Sequence, residues 1–225
     1  MKTYSLNNFR LLDSIVLKKR VQMLNLIKEK IKTVKVQEVL DVGTTSDKFN
    51  KSSNFLINNF SYIKKRKSIS DQKISSNFFL NTLHKSISDK LTNLEINKFS
   101  SDLVISNATI EHVGSKKNQY TMISNIILLT KKSFVIVTPN RYHPIEFHTL
   151  IPLIHWLPKK FHRFILKLLG LSFFSKEKNL NLLSEDDLLR LLDRFKNKIE
   201  YSIYNIKWLG VKSNLIVIGT KKLII

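Results

Sequence analysis

Apolar residues along this chain fall into two kinds of pattern, and each predicts a different element. Short stretches dominated by apolar residues read as parallel strands buried on both faces. Glu38–Val42, Asp102–Ser106 and Phe134–Val137 are of this kind, the last stopped by Pro139. Longer stretches with apolar residues three and four apart read as helices with one buried face. Leu17–Val34 presents Val21, Leu24, Ile27 and Ile31 in this way, and Lys116–Leu129 presents Tyr120, Ile123 and Ile127. A helix carrying Phe55, Leu56 and Phe60 is expected over Asn50–Phe60. A short polar strand is expected over Lys67–Asp71, and a short helix end followed by a third strand over Phe78–Ser86. Phe161, Phe164, Ile165 and Leu168 form an apolar helical face that Gly170 ends, with Lys159, Lys160, Arg163 and Lys167 around it. Ser184 before Glu185, Asp186 and Asp187 reads as a capped helix start, and Leu188, Leu191, Leu192 and Phe195 follow in register. Ile199–Ile206 and Asn214–Thr220, on either side of Gly210, read as two final strands.

Alternating strands and helices predict an α/β fold with a mostly parallel sheet. No repeat or domain boundary interrupts it, so residues 1–225 are expected to form one domain. One segment breaks the rhythm. Asn140–Phe174 holds three of the four prolines, Pro144, Pro152 and Pro158, and cannot be a single regular helix. It reads as a cap inserted after the fifth strand.

Composition changes this picture only in part. The chain has 225 residues, enough for one full core, and a hydrophobic fraction of 43%. It has no cysteine, which excludes a disulfide framework and a thiolate metal site. Asp13 interrupts the early apolar stretch, no apolar run reaches membrane-spanning length, and a cytoplasmic protein is expected. The net charge of +21 is compatible with a nucleic-acid or anionic-membrane partner. Its lysines are spread rather than blocked, apart from Lys64-Lys65-Arg66-Lys67, so compositional drift is favoured over either partner. The apolar helix with basic flanks could lie on a membrane surface, but packing of that face on the sheet or cap is the favoured reading.

The candidate chemistry starts where the first strand ends. Asp41-Val42-Gly43-Thr44-Thr45-Ser46-Asp47 is a strand end that turns at a glycine. In open α/β sheets ligands bind at such ends. Asn107-Ala108-Thr109-Ile110-Glu111-His112 follows the fourth strand, and Thr138-Pro139-Asn140-Arg141-Tyr142-His143-Pro144-Ile145-Glu146-Phe147-His148-Thr149 follows the fifth. Together these stretches resemble the class I S-adenosylmethionine-dependent methyltransferases, and the last is similar to a bacterial subgroup of the methyltransferase type 11 kind. The resemblance runs from about Glu38 to the end. It implies a Rossmann-like sheet closed by an antiparallel hairpin, S-adenosylmethionine as cofactor, and methyl transfer as activity.

The resemblance also assigns residues. Asp41, Gly43, Thr44 and Thr45 would wrap the amino-acid part of the cofactor, and Asn107 would meet its methionine end. Asp89 falls where the family places a residue near adenine. Asp71, ending the second strand, can accept ribose hydroxyls; it can equally cap a turn. The family's acidic-x-Gly-x-Gly-x-Gly pattern is only partly kept, because Thr45 and Asp47 stand at the second and third glycine positions. Hydroxyls of Thr44, Thr45 and Ser46 are expected to replace backbone contacts there. A cofactor-binding relative with weak or no catalysis is the alternative, as is a basic module for RNA or a membrane surface. Glu111-His112 reads either as a helix-start acid beside a packed histidine or as a general base. His143-x-x-Glu146-x-His148 fits no metal motif, and Pro144 breaks the helix that an i, i+4 pair needs, so no metal is expected. The cap is expected to hold a small-molecule or lipid- or glycan-linked acceptor, with Arg141 or His143 orienting it and His112 as base, unless it is simply packed structure.

Overall fold

The computed structural model describes residues 10–47, 50–75 and 77–222. Among them, seven strands form one sheet in the order β3-β2-β1-β4-β5-β7-β6. These are β1 (Glu38–Val42), β2 (Lys65–Ser70), β3 (Asn81–His84), β4 (Ser101–Asn107), β5 (Thr130–Pro139), β6 (Ile199–Trp208) and β7 (Val211–Lys221). β1 to β5 pair in parallel, and β7 pairs antiparallel with both β5 and β6. Helices α1 (Arg10–Lys30), α2 (Phe55–Asn58), α3 (Asn93–Phe99), α4 (Lys116–Leu129), α5 (Lys159–Leu168) and α6 (Glu185–Leu192) complete it.

Period-two alternation splits the core between the two faces of the sheet. Leu40, Val42, Val104, Phe134, Ile136, Leu215 and Val217 pack with residues of α4 and α6. Their neighbours Val39, Leu103, Ile105, Val135, Val137, Ile216 and Ile218 pack with Leu24, Ile27 and Ile31 from α1 and its C-terminal flank and with Leu56 and Ile57 of α2. Asp41 has the parity of Val39, which aims it at the α1 face. That placement sets up the site below.

Several expectations needed revision. α1 starts seven residues earlier than the pattern indicated, and Val21 is exposed rather than facing the sheet. The helix expected over Asn50–Phe60 is reduced to the single turn of α2, because Asn54 adopts a left-handed conformation at its start. β2 ends at Ser70, so Asp71 lies just beyond it. α3 has no apolar periodicity that announced it; its Thr92/Glu95 capping box carries the signal instead. The largest revision concerns α5. Its buried side chains are His162 and Leu166, while Phe161, Phe164 and Leu168 are 64%, 59% and 70% exposed.

Candidate active site

β1 and β4 lie side by side, and the chain leaves them toward opposite edges of the sheet. This is the topological switch point where an α/β sheet opens a crevice. A cavity of about 160 Å³ lies there, lined by Asp41, Gly43, Thr45, Asn54, Asn107 and Arg20, among others. The structure thus brings together Asp41, Gly43, Thr45 and Asn107. It adds Arg20 of α1, which sequence reading missed. Arg20 sits one residue before Val21 on a helix read only for its apolar face, so a signal existed only in the helix's polar residues.

Gly43 is required by close packing as well as by conformation. Its φ is +89°, and a Cβ there would stand 2.0 Å from Thr109 Oγ1. Thr109 in turn donates to the Val42 and Asn107 carbonyls, tying the ends of β1 and β4 together.

The loop after Gly43 is held by its own side chains. Thr44 Oγ1 donates to Asp41 Oδ2 at 2.5 Å and accepts from Ser68 Oγ at 2.7 Å. Ser46 gives both its N–H and its hydroxyl to Gln72 Oε1. Asn54 bonds both the N–H and the carbonyl of Thr45. Asp47, at the third glycine position, accepts from Ser53 Oγ at 2.8 Å and from the Asn50 N–H. The hydroxyls expected to meet a carboxylate are therefore already bonded within the protein. A second cavity, of about 320 Å³, shares Thr45 and Asn54 and is walled by Ile74, Phe78 and Phe79.

Two charged groups face the first cavity. Burial pushes the Asp41 carboxyl up to about 6, against the bond from Thr44. Arg20 is brought down to about 10 by desolvation, with the Glu111 carboxylate pulling it up again. Its Nε is sealed from solvent and has no hydrogen-bond partner. Asp71 and Asp89 do not line either cavity. Both are exposed; the Asp71 carbonyl accepts from His84 Nε2, and the Asp89 carbonyl accepts from Asn125.

The remaining three predicted residues part company. His143 is fully buried, stacked on Trp208 at 5.2 Å and on Phe147 at 4.9 Å. Its backbone carbonyl accepts from His155 Nε2. Arg141 donates to the carbonyls of His155 and Leu157, clamping the cap to itself. His112 closes the 3₁₀ turn Ile110–His112 after β4 and approaches His148 of the cap, Nε2 to Nε2, at 3.1 Å. Burial lowers the His112 pKa against the pull of Glu111. His148 is raised: burial opposes its charge, but Glu146 more than compensates.

No family model matches the chain, and no curated protein sequence matches it. Solved structures do. Magnesium protoporphyrin IX methyltransferase from Synechocystis PCC 6803, with S-adenosylhomocysteine bound, is 10% identical with a TM-score of 0.57, over 97% of this chain and 91% of that one. The N-methyltransferase NodS of Bradyrhizobium japonicum WM9, also with S-adenosylhomocysteine, is 11% identical with a TM-score of 0.54, over 96% and 93%. A Rhodobacter sphaeroides chain named as a Zn-dependent alcohol dehydrogenase reaches 0.58 at 10% identity over 88% of each chain. At such identities the likeness speaks for architecture alone, and the architecture is the Rossmann-like class I methyltransferase sheet with its antiparallel C-terminal hairpin.

Proposed function

We propose that this chain is an S-adenosylmethionine-dependent methyltransferase, with the cofactor's amino-acid end in the cavity between α1, β1 and β4. The observation that carries this reading is the pairing of a buried carboxylate, Asp41, with an unbonded guanidinium nitrogen, Arg20 Nε, in one cavity at the switch point. A zwitterionic amino acid needs that donor set. Arg20 meets its carboxylate and Asp41 its ammonium group, as charge-assisted hydrogen bonds. Gly43 lets the backbone come close, and Asn107 adds a polar group beside the methionine end. In this reading Asp71 would meet the ribose hydroxyls and Asp89 the adenine side; both are exposed and neither lines the cavity. When bound, the cofactor supplies a methyl group activated on a positively charged sulfur; the protein supplies orientation.

The acceptor side is the cap, and its surface favours one acceptor class. Trp156, Leu157, Phe161, Phe164, Leu168 and Phe173 are all exposed on it, with Lys160 and Lys167 exposed among them. An apolar patch rimmed by lysines suits an anionic lipid surface. We therefore favour an acceptor presented at a membrane, such as a lipid-linked molecule. Arg141 and His143 serve this role by holding the cap's shape.

Calorimetric titration with S-adenosylhomocysteine tests the cofactor reading. The wild type is expected to bind, and Arg20→Ala to bind about 10–100-fold more weakly, the equivalent of one charge-assisted hydrogen bond. No binding by a folded wild type, or equal binding by both, overturns it.

A further inference from the structure

Glu111, His112 and His148 place a carboxylate oxygen and two imidazole nitrogens within 4.8 Å of one another. The two histidines are 36 positions apart in the chain; one closes the turn after β4 and the other belongs to the cap. From their geometry we infer that these three side chains form a binding site for one divalent transition-metal ion of the zinc class.

The tautomers point to it first. His112 Nδ1 lies 2.7 Å from the Asn179 carbonyl, which can only accept, so Nδ1 carries the hydrogen. His148 Nδ1 lies 2.6 Å from Glu146 Oε1. Glu146 is itself fixed by the His148 and Thr149 N–H groups and by Thr149 Oγ1. In the neutral form each ring then presents an Nε2 lone pair, and the two lone pairs face each other at 3.1 Å with the rings at 85°. Two lone pairs repel at that distance unless an electrophile lies between them. A zinc ion with Zn–N bonds of about 2.05 Å in tetrahedral geometry sets its two nitrogens about 3.3 Å apart, close to what is found.

A shared proton is the competing electrophile, and Glu111 decides against it. Its Oε2 accepts from Thr138 Oγ1 at 2.9 Å, but its Oε1 is sealed from solvent with no hydrogen-bond partner. Oε1 is 4.0 Å from His112 Nε2. A buried carboxylate oxygen left unsatisfied is costly. One proton between the histidines leaves it so, whereas a cation satisfies all three donors together. Two imidazoles and a carboxylate are also the ligand set that zinc-class ions accept, with a fourth position left for water or a further oxygen. Glu146 behind His148 and the Asn179 carbonyl behind His112 are the outer partners that metal-bound histidines have.

The assignment rests on side-chain geometry and not on the methyl-transfer reading, and the test keeps them separate. Untagged full-length protein, stripped with a chelator, is titrated with zinc chloride while bound metal and melting temperature are measured. One zinc per chain and a raised melting temperature are expected. Glu111→Gln, which keeps volume and the Thr138 partner, should weaken zinc binding at least about 100-fold, and His148→Ala likewise. Glu146→Gln should weaken it about 10–100-fold, as loss of an outer partner does. Absence of stoichiometric uptake, or equal affinity in the wild type and a folded Glu111→Gln variant, overturns the site. S-adenosylhomocysteine affinity, measured on the same samples, reports on the other proposal independently.

Discussion

Single residues in this protein are set by the strand or helix parity that aims them. Asp41 shares its face with Val39, so it is buried beside α1, where burial raises its carboxyl to about 6. Below that value it is neutral and gives no charge to a bound ammonium group. Affinity for S-adenosylhomocysteine is therefore expected to fall as pH drops through about 6, and Asp41→Asn should flatten that profile; calorimetry from pH 5 to 8 reads it. The stability effect has the opposite sign. The native carboxyl holds its proton more tightly than the unfolded one, so unbound protein loses stability as pH rises between about 4 and 6. His143, expected at the acceptor side, is sealed between the Trp208 and Phe147 rings. His143→Ala should cost about 2–4 kcal/mol of stability, as large-to-small core changes do, in denaturant melts. An unchanged melt would mean that the ring is not part of the cap's packing.

At the scale of elements, the loop after β1 and helix α5 carry the argument. The loop lacks two of the glycines its pattern resembles, and it compensates with side chains: Asn54, Gln72 and Asp47 bond the groups that free backbone would leave open. Gly43 has no such substitute. Gly43→Ala meets both a positive φ and the Thr109 hydroxyl, so it should lower the melting temperature and abolish cofactor binding together. α5 inverts the usual arrangement by burying His162 and Leu166 and exposing its phenylalanines. Flotation with anionic vesicles is expected to carry the wild type, and Phe161→Asp with Phe164→Asp should leave it in solution with an unchanged fold. If the double variant floats equally well, α5 is not the contact.

For the whole molecule, the excess of positive charge matters most where acids are few. Glu38 pairs with Lys65, Lys67 and Lys131 at the start of β1, and Lys131 and then Lys67 hold its carboxyl down to about 2 against burial. That contribution is complete above about 4.3 and is lost as pH falls toward 2. The remaining lysines favour any anionic surface, so vesicle binding should weaken steeply between about 50 and 200 mM salt if charge draws the protein in and α5 then seats it. Among the described residues, no helix is long and apolar enough to cross a membrane.

The sequence by itself determined the central strands of the sheet and one of its covering helices. β1 was bounded to the residue, β4 and β5 were located by their apolar centres, and α4 was bounded to the residue, because a buried strand or an amphipathic helix writes its period into adjacent positions. It also placed Asp41, Gly43 and Asn107 at strand ends, since those positions follow from the strands. What it could not write is which side chains from distant segments converge. Arg20 reaches the cavity only because α1, packed against α2, β6 and β7, brings that side chain to the ends of β1 and β4. His112 meets His148 only because the cap folds back over the end of β4, and an argument from spacing within His143–His148 had no access to that partner. The same limit hid the orientation of α5: its period showed an apolar stripe, but only tertiary packing decided that the stripe faces away from the core.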